Sequence, residues 1–199
     1  MQRRSSKRGG RVGGGDGGRI YLHFMIPHSP FIFKADGSRP KYFESAFTKF
    51  EYEVKFVQQL RFSGKQIIDI ADSIRQKDKD AIIIIQADHG FGGYEDMIYL
   101  NRNSLAASTN NREKPPSDYL DQRFGILNAI SSPLELGIPE HSTPVNLFRY
   151  IFNAIFDDQY IFLPNKSYFA LIKQPYFFHD GPRGAQFSKC ISSRRLRSA

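Results

Sequence analysis

An aspartate and a histidine stand side by side at the end of a strongly apolar stretch, residues 81–93 (AIIIIQADHGFGG). Four isoleucines precede Asp88 and His89, and the glycines that follow allow a sharp turn of the backbone. A carboxylate and an imidazole are costly to bury without partners, and together they offer the oxygen and nitrogen ligands of zinc or manganese. The pair therefore predicts a divalent-metal site. The pattern equally fits a structural role, in which Asp88 caps the next turn and His89 is a core histidine.

A second histidine, His28, follows an earlier apolar stretch at residues 19–27 (RIYLHFMIP). In open α/β sheets, ligands bind outside the carboxyl ends of the strands. His28 is therefore expected at the same sheet edge as Asp88 and His89, where it would complete a set of one carboxylate and two imidazoles. His23 lies inside the earlier stretch, where a histidine on the sheet face or in the core is the expected structural alternative.

The elements that must position these residues are predicted from hydrophobic periodicity. Residues 19–27 are β-branched and aromatic and end at a proline, which predicts a strand. Residues 42–76 predict a long helix, and residues 81–87 predict a short strand buried on both faces. Strand, helix and strand in this order predict a βαβ unit and a mostly parallel sheet. The residues predicted on the buried face of the helix are Leu60, Gly64, Ile67, Ala71 and Ile74.

The remaining sequence completes one α/β domain over residues 20–181. Residues 90–118 form a polar excursion of a length that is typical of functional loops or flexible insertions. A further strand is predicted at 123–133 (RFGILNAISSP), and short aromatic strands or loops at 160–178. A helix is predicted over 142–156, because a Ser-Thr cap precedes a proline in its first turn. The apolar face predicted for this helix consists of Val145, Phe148, Phe152 and Ile155.

Basic residues collect at the two ends of the chain. Of the net charge of +8, residues 1–19 and residues 182–199 each contribute +5, which leaves −2 for the domain between them. Both ends are poor in apolar residues, which predicts flexible tails. Such tails can bind RNA or anionic lipid by releasing counterions. No aromatic residues stand between the basic residues of the N-terminal tail, so nucleic acid is not the expected partner.

The cysteine content and the hydropathy of the chain exclude further classes of protein. The one cysteine, Cys190, excludes an internal disulfide and a cysteine-based zinc site. No apolar run reaches the length of a membrane span, and no apolar core follows the basic N-terminus as it does in a signal peptide. The chain as given is therefore expected to be a soluble piece of protein.

Four segments follow one another in an order that is typical of a known family. HFMIPHSPFIF comes first, IIIIQADHG second, and RFGILNAISSP and IPEHSTPVNLFRYIFNAIF follow. Together they resemble the sulfatase-like branch of the alkaline phosphatase superfamily, in particular the extracytoplasmic domain of bacterial and archaeal sulfatase-like membrane proteins. The resemblance covers about residues 20–180. It implies the C-terminal part of an alkaline-phosphatase-like sandwich, with a mostly parallel sheet, flanking helices and a missing N-terminal half.

The resemblance also implies roles for individual residues. Asp88 and His89 match the pair that binds the catalytic divalent metal, which would be zinc, manganese or calcium. His28 matches a histidine that contacts the sulfate or phosphate group of an ester substrate. Further candidates for contact with that group are His23, Arg123 and Asn128. The location implied is a membrane-anchored domain outside the cytoplasm.

The chain departs from the family pattern where a nucleophile is expected. The family's Thr, Ser or formylglycine nucleophile and a further acidic metal ligand precede the His-x-Pro segment, where this chain has its Gly-Arg tail. Cys190 lacks the Cys-x-Pro-x-Arg context of a formylglycine site. A histidine that related transferases supply shortly after the Asp-His pair is also absent, unless His141 replaces it.

Three functions therefore remain open. The first is a fragment of a metal-dependent sulfatase-like hydrolase or phosphotransferase, inactive alone and completed by a missing N-terminal half or a membrane-anchored partner. The second is a noncatalytic, metal-stabilised binding domain. The third, and weakest, is a binder of nucleic acid or anionic surfaces through the basic tails.

Overall fold

A computed structural model describes residues 18–40, 48–93, 115–139, 142–156, 159–171 and 174–182. These residues form a mixed α/β structure, as predicted. Its helices are α1 (Lys49–Lys77), α2 (Ser117–Phe124) and α3 (Pro144–Phe156). Its strands are β1 (Ile83–Gln86), β2 (Asn128–Ser131), β3 (Tyr168–Leu171) and β4 (Gln174–Asp180). The basic tails predicted at 1–19 and 182–199 lie almost entirely outside the described residues, and so does His141.

The long helix α1 begins at a capping box. The Thr48 hydroxyl accepts a hydrogen bond from the Glu51 backbone N–H at 3.1 Å, and the Glu51 carboxylate accepts one from the Thr48 N–H at 3.1 Å. Two backbone donors at the helix start are thereby satisfied. The helix ends at Lys77, where Asp78 takes up extended backbone. The helix predicted from the apolar periodicity is confirmed, with its start at Lys49.

The buried face of α1 agrees with the predicted one in part. Gln59 and Ser63 are buried on it, whereas Leu60 is 42 % exposed. Phe56 and Tyr52 lie one and two turns before Gln59, respectively, and are half-buried. Of the residues predicted on this face, Gly64, Ile67, Ala71 and Ile74 are half-buried, and Leu60 is the exception.

The strand β1 pairs with β2 in antiparallel register, with Ile83 opposite Ser131 and Gln86 opposite Asn128. Within the described residues it has no other strand neighbour. Its isoleucines are half-buried rather than buried on both faces. The second sheet, β3 with β4, is also antiparallel and includes a register shift after Ala170. The mostly parallel sheet that the sequence predicted is thus not found in the part of the chain described.

The predicted βαβ unit fails at its first strand. Residues 19–27 form no strand, and the side chains of Ile20 and Tyr21 are each 85 % exposed. β-branched and aromatic residues favour a strand through packing against neighbouring strands and a covered face. Neither is available to this segment among the described residues, so its composition alone does not produce a strand.

Two apolar clusters hold the elements together. Ile130 of β2 packs with Leu147 and Ile151 of α3, and half-buried Ile82 and Ile84 join them. The helix predicted at 142–156 is confirmed, but residues predicted on its inner face, including Val145 and Phe148, are 40 % and 53 % exposed. The second cluster joins Tyr119 and Leu120 of α2 to Phe169 of β3.

Candidate functional site

The backbone that carries Asp88 and His89 is hydrogen-bonded to the last turn of α2 and to the connection between α2 and β2. The Ala87 N–H donates to the Leu127 carbonyl at 2.9 Å, and the Gly90 N–H donates to the Arg123 carbonyl at 2.7 Å. Asp88 and His89 lie between these two hydrogen bonds. Their position at the end of β1 is therefore fixed from both sides.

Gly90 is required by a close approach of two backbones. A Cβ atom at this position would lie 2.0 Å from the Gln122 carbonyl oxygen and 2.6 Å from that of Gly125. Both distances are far below van der Waals contact, and both involve backbone atoms that cannot turn aside. The glycine after His89 thus has a steric reason, independent of any metal.

Asp88 and His89 form a partly exposed acid–imidazole pair. Asp88 Oδ1 accepts the His89 backbone N–H at 3.0 Å, and Asp88 Oδ2 lies 3.8 Å from His89 Nε2. The Asp88 side chain is 90 % exposed and that of His89 is 39 % exposed. The expected burial of the pair is therefore wrong for Asp88, whose carboxylate stays in contact with water. His89 is not a core histidine either, because more than a third of its side chain is accessible.

The other ring nitrogen of His89 has two close neighbours. His89 Nδ1 lies 2.8 Å from the Gly90 carbonyl oxygen and 2.9 Å from Arg123 Nη1. Metal-binding histidines usually donate their second ring N–H to a carbonyl or carboxylate, which aims the free nitrogen at the metal. The Gly90 carbonyl is placed to accept such a bond, and His89 Nε2 is then the nitrogen beside Asp88.

The donor set fits two positions of a metal coordination shell. Two ligands of a tetrahedral zinc ion lie roughly 3.3–3.4 Å apart when each bond is about 2.0–2.1 Å long. The 3.8 Å between Asp88 Oδ2 and His89 Nε2 is only a few tenths of an ångström wider. Within the described residues, no group of three or more His, Cys, Asp and Glu side chains surrounds a common point. Water, substrate or groups outside those residues would have to supply the other ligands.

His28 lies on a separate segment, and the Gln59 side chain of α1 binds three backbone groups of that segment. The Gln59 side chain is fully buried; its Nε2 donates to the His28 carbonyl at 2.9 Å. Its Oε1 accepts the backbone N–H groups of Ile32 at 2.8 Å and Phe33 at 3.2 Å. The His28 ring is exposed, and its Nδ1 contacts the Ser29 carbonyl. Gln59 was not predicted as a site residue, although a glutamine beside an apolar helical face was a readable signal.

Aromatic rings bring the two histidine-bearing segments onto the same part of α1. Phe91, two residues after His89, stacks on Phe56 with ring centroids 4.0 Å apart. Phe31 packs edge-on against Tyr52 at 4.9 Å and lies 6.2 Å from Phe56. Among the described residues, His28 nevertheless makes no hydrogen bond or ion pair with Asp88 or His89. The structure thus places the segments on one helix without joining their functional groups.

Of the other residues predicted to contact an anionic group, one lies beside His89 and two lie elsewhere. Arg123 is brought into direct contact with the His89 ring. Asn128 is only 4 % exposed, and its Oδ1 faces Gln86 Nε2 at 3.5 Å across the β1–β2 pair. Its place in the sheet is that of a cross-strand partner. His23 is exposed beside Tyr21, with ring centroids 6.3 Å apart, and is not part of the cluster at the end of β1.

Comparison of the chain with protein-family models, with curated proteins and with solved structures finds no match. Of the helices in the described ranges, none combines the length and the apolar character that crossing a bilayer requires.

Proposed function

We propose that this chain is the metal-binding part of a sulfatase-like hydrolase or phosphotransferase that acts on sulfate or phosphate esters. Asp88 and His89 are the proposed ligands of a divalent metal, which is zinc, manganese or calcium. One observation carries the proposal: Asp88 Oδ2 and His89 Nε2 lie 3.8 Å apart at the accessible end of β1. The Gly90 carbonyl, 2.8 Å from His89 Nδ1, is positioned to orient the ring for such a role.

The chemistry that a metal supplies here is stabilisation of the negative charge on a transferred sulfate or phosphate group. In the proposal, Asp88 contributes charge and His89 a neutral nitrogen, while His28 approaches the anionic group from the neighbouring segment. The sequence offers no nucleophile where the resemblance expects one. The chain by itself is therefore proposed to bind metal without catalysing turnover.

The proposal also includes the arrangement of the sheet. A sulfatase-like domain would place β1 in a larger, mostly parallel sheet within a sandwich. β1 pairs with β2 alone among the described residues, and its isoleucines are only half-buried. The further strands of the proposed sheet would come from residues outside the described ranges, from a missing N-terminal half or from a membrane-anchored partner.

A second candidate is a noncatalytic binding domain that is stabilised by metal. It is favoured by the exposure of the site, because a side chain that is 90 % accessible, as in Asp88, leaves water free to complete the coordination shell. The two candidates share the metal site. They differ in whether an added polypeptide that carries a nucleophile produces turnover.

Metal binding by the purified chain tests the shared site. We expect calorimetry to detect zinc or manganese binding that Asp88→Asn and His89→Gln each abolish. Removal of an outer-shell partner already lowers metal affinity roughly 10–100-fold, and a lost ligand lowers it further. The matched controls are Asp72→Asn and His23→Gln, which remove an exposed carboxylate and an exposed imidazole elsewhere. Equal metal affinity in the wild type and in both site variants would refute the assignment.

A turnover assay of the chain alone distinguishes a fragment from a complete enzyme. With zinc, manganese or calcium present, the chain alone should not hydrolyse p-nitrophenyl phosphate or p-nitrophenyl sulfate. Hydrolysis that disappears in His89→Gln would show that the chain contains its own nucleophile and would contradict the proposed division of the active site.

A further inference from the structure

Residues 20–25 (IYLHFM) form an apolar segment that the rest of the described structure leaves uncovered. Ile20 and Tyr21 are each 85 % exposed, Met25 is 67 % exposed and Leu22 is 53 % exposed. Single apolar residues are normal on a protein surface, but a contiguous run of them marks a site of interaction with a protein or a membrane. Ile20 and Tyr21 are consecutive and equally exposed, so neither side of the segment is turned toward the protein.

The segment is anchored at its C-terminal end. The His28 N–H donates to the Met25 carbonyl at 3.0 Å, which closes a turn directly after the segment. The backbone beyond this turn is hydrogen-bonded to the buried Gln59 side chain of α1. An apolar segment with such a fixed base can enter a partner surface while α1 stays in place.

Positive charge adjoins the segment on its N-terminal side. Residues 1–19 carry six basic side chains and one acidic side chain, and no acidic residue occurs from residue 17 to residue 35. Anionic lipid headgroups attract nearby Lys and Arg side chains, and this attraction adds to the burial of apolar side chains among the lipids. A basic stretch followed by exposed apolar residues therefore matches both contributions to binding at an anionic bilayer.

We propose that residues 20–25 insert into the headgroup region of an anionic bilayer, with the basic side chains of residues 1–19 held by the lipid headgroups. This contact goes beyond the proposed metal site and does not rest on it. Lipid surrounds an inserted segment on all sides, which fits the equal exposure of Ile20 and Tyr21. Tyr21 suits this depth, because its ring is apolar and its hydroxyl is polar.

Flotation with lipid vesicles tests the contact. The purified chain is mixed with vesicles of phosphatidylcholine and phosphatidylserine in equal parts, or with vesicles of phosphatidylcholine alone. We expect the mixed vesicles to bind the wild type at least about 100-fold more tightly, and sodium chloride to weaken this binding. Ile20→Ser combined with Tyr21→Ser should weaken binding to the mixed vesicles about tenfold or more, because two apolar side chains then no longer leave water. Circular dichroism checks that the variant is folded.

Ile161→Ser is the matched control. Ile161 is 84 % exposed, almost the same fraction as Ile20. Two acidic residues, Asp157 and Asp158, shortly precede it in place of a basic stretch. The Ile161→Ser variant should therefore bind the mixed vesicles as tightly as the wild type does.

Tryptophan fluorescence distinguishes insertion from adsorption by charge alone. The chain contains no tryptophan, so Tyr21→Trp introduces a single reporter into the segment. On the mixed vesicles, its emission should shift to shorter wavelength, and lipids brominated on their acyl chains should quench it. Ile161→Trp should show neither change.

Three results would overturn the membrane contact. They are a wild type that does not bind the mixed vesicles, a vesicle-bound Tyr21→Trp variant with unchanged emission, and equal vesicle affinity of the wild type and the double serine variant. A lipid-free dimer that the double serine variant dissociates would show that a second copy covers the segment instead. His89→Gln should bind vesicles like the wild type, so failure of the metal site and failure of the membrane contact are distinguishable.

Discussion

The two segments that carry the candidate site residues are fixed by different kinds of contact. Residues 87–90 are held through backbone atoms, by a hydrogen bond from Gly90 to the last turn of α2 and one from Ala87 to the connection between α2 and β2. Residues 28–33 are held through side chains: Gln59 binds three of their backbone groups, and Phe31 packs against Tyr52 and Phe56 of α1. A backbone contact tolerates most substitutions except those that add bulk at the point of approach. A side-chain contact depends on the identity of one residue.

The largest effect is expected from bulk at Gly90. Gly90→Ala places a Cβ atom 2.0 Å from the Gln122 carbonyl oxygen, so the backbones must separate. Overpacking a tightly packed position typically costs about 1–3 kcal/mol, and we expect about 3 kcal/mol here because both sides of the contact are backbone. Urea unfolding measures the loss.

The control for Gly90→Ala is Gly64→Ala in α1. A Cβ atom at Gly64 meets nothing within 4 Å, so alanine should stabilise the helix by about 1 kcal/mol through its higher helix propensity. Similar unfolding free energies for the two variants would show that the close approach at Gly90 is not a constraint.

The next largest effect should follow loss of the Gln59 side chain. Gln59→Ala leaves the carbonyl of His28 and the N–H groups of Ile32 and Phe33 without their partner. An unsatisfied buried polar group costs about 1–3 kcal/mol, but part of this segment can turn to water, so we expect about 2 kcal/mol in urea unfolding. Zinc binding at Asp88 and His89 should remain, because their backbone contacts are elsewhere.

Gln58→Ala is the matched comparison for Gln59→Ala. Gln58 accepts a single backbone N–H, from Ala35 at 3.0 Å, so its loss should cost about 1 kcal/mol or less. If Gln58→Ala destabilises the chain as much as Gln59→Ala, the segment is not held by one dominant side chain, and the contrast with residues 87–90 disappears.

The smallest effect concerns the helix that both segments pack on. Thr48→Ala removes the cap of α1 and should lower the unfolding free energy by about 1 kcal/mol. Thr48→Ser keeps the hydroxyl and should cost much less. Equal losses in the two variants would indicate that the capping hydrogen bond does not stabilise α1.

Local patterns predicted the elements better than their faces or partners. The range of α3 was readable because apolar periodicity, a cap and a first-turn proline agreed. α1 was readable from apolar periodicity alone, and its predicted start at residue 42 precedes the start at Lys49. The inner face of α3 could not be predicted, because its sequence, PVNLFRYIFNAIF, is apolar on more than one side. Leu147 and Ile151 are buried because Ile130 and the β1 isoleucines pack there. The inner face of α1 was predicted in part: Gly64, Ile67, Ala71 and Ile74 are half-buried, but the prediction included the exposed Leu60 and omitted the buried Gln59.

The sequence identified residues of the candidate site but did not predict the contacts that these residues make. Asp88 and His89 were identified by adjacency and by the strand before them, and they do lie together at its end. Their exposure, the Gln59 contacts and the placement of Arg123 on the His89 ring depend on how distant segments meet. No spacing within one segment encodes those distances.

The glycine after the acid–imidazole pair has a consequence for the pairing of β1. Four consecutive isoleucines, residues 82–85, give side-chain packing little basis for choosing one alignment of β1 against β2. A slip by one residue in either direction would bring His89 or Phe91 to the place where a Cβ atom collides with the carbonyl oxygens of Gln122 and Gly125. Gly90 thus fixes the register: the residue that allows the chain to turn also determines which isoleucine of β1 pairs with which residue of β2.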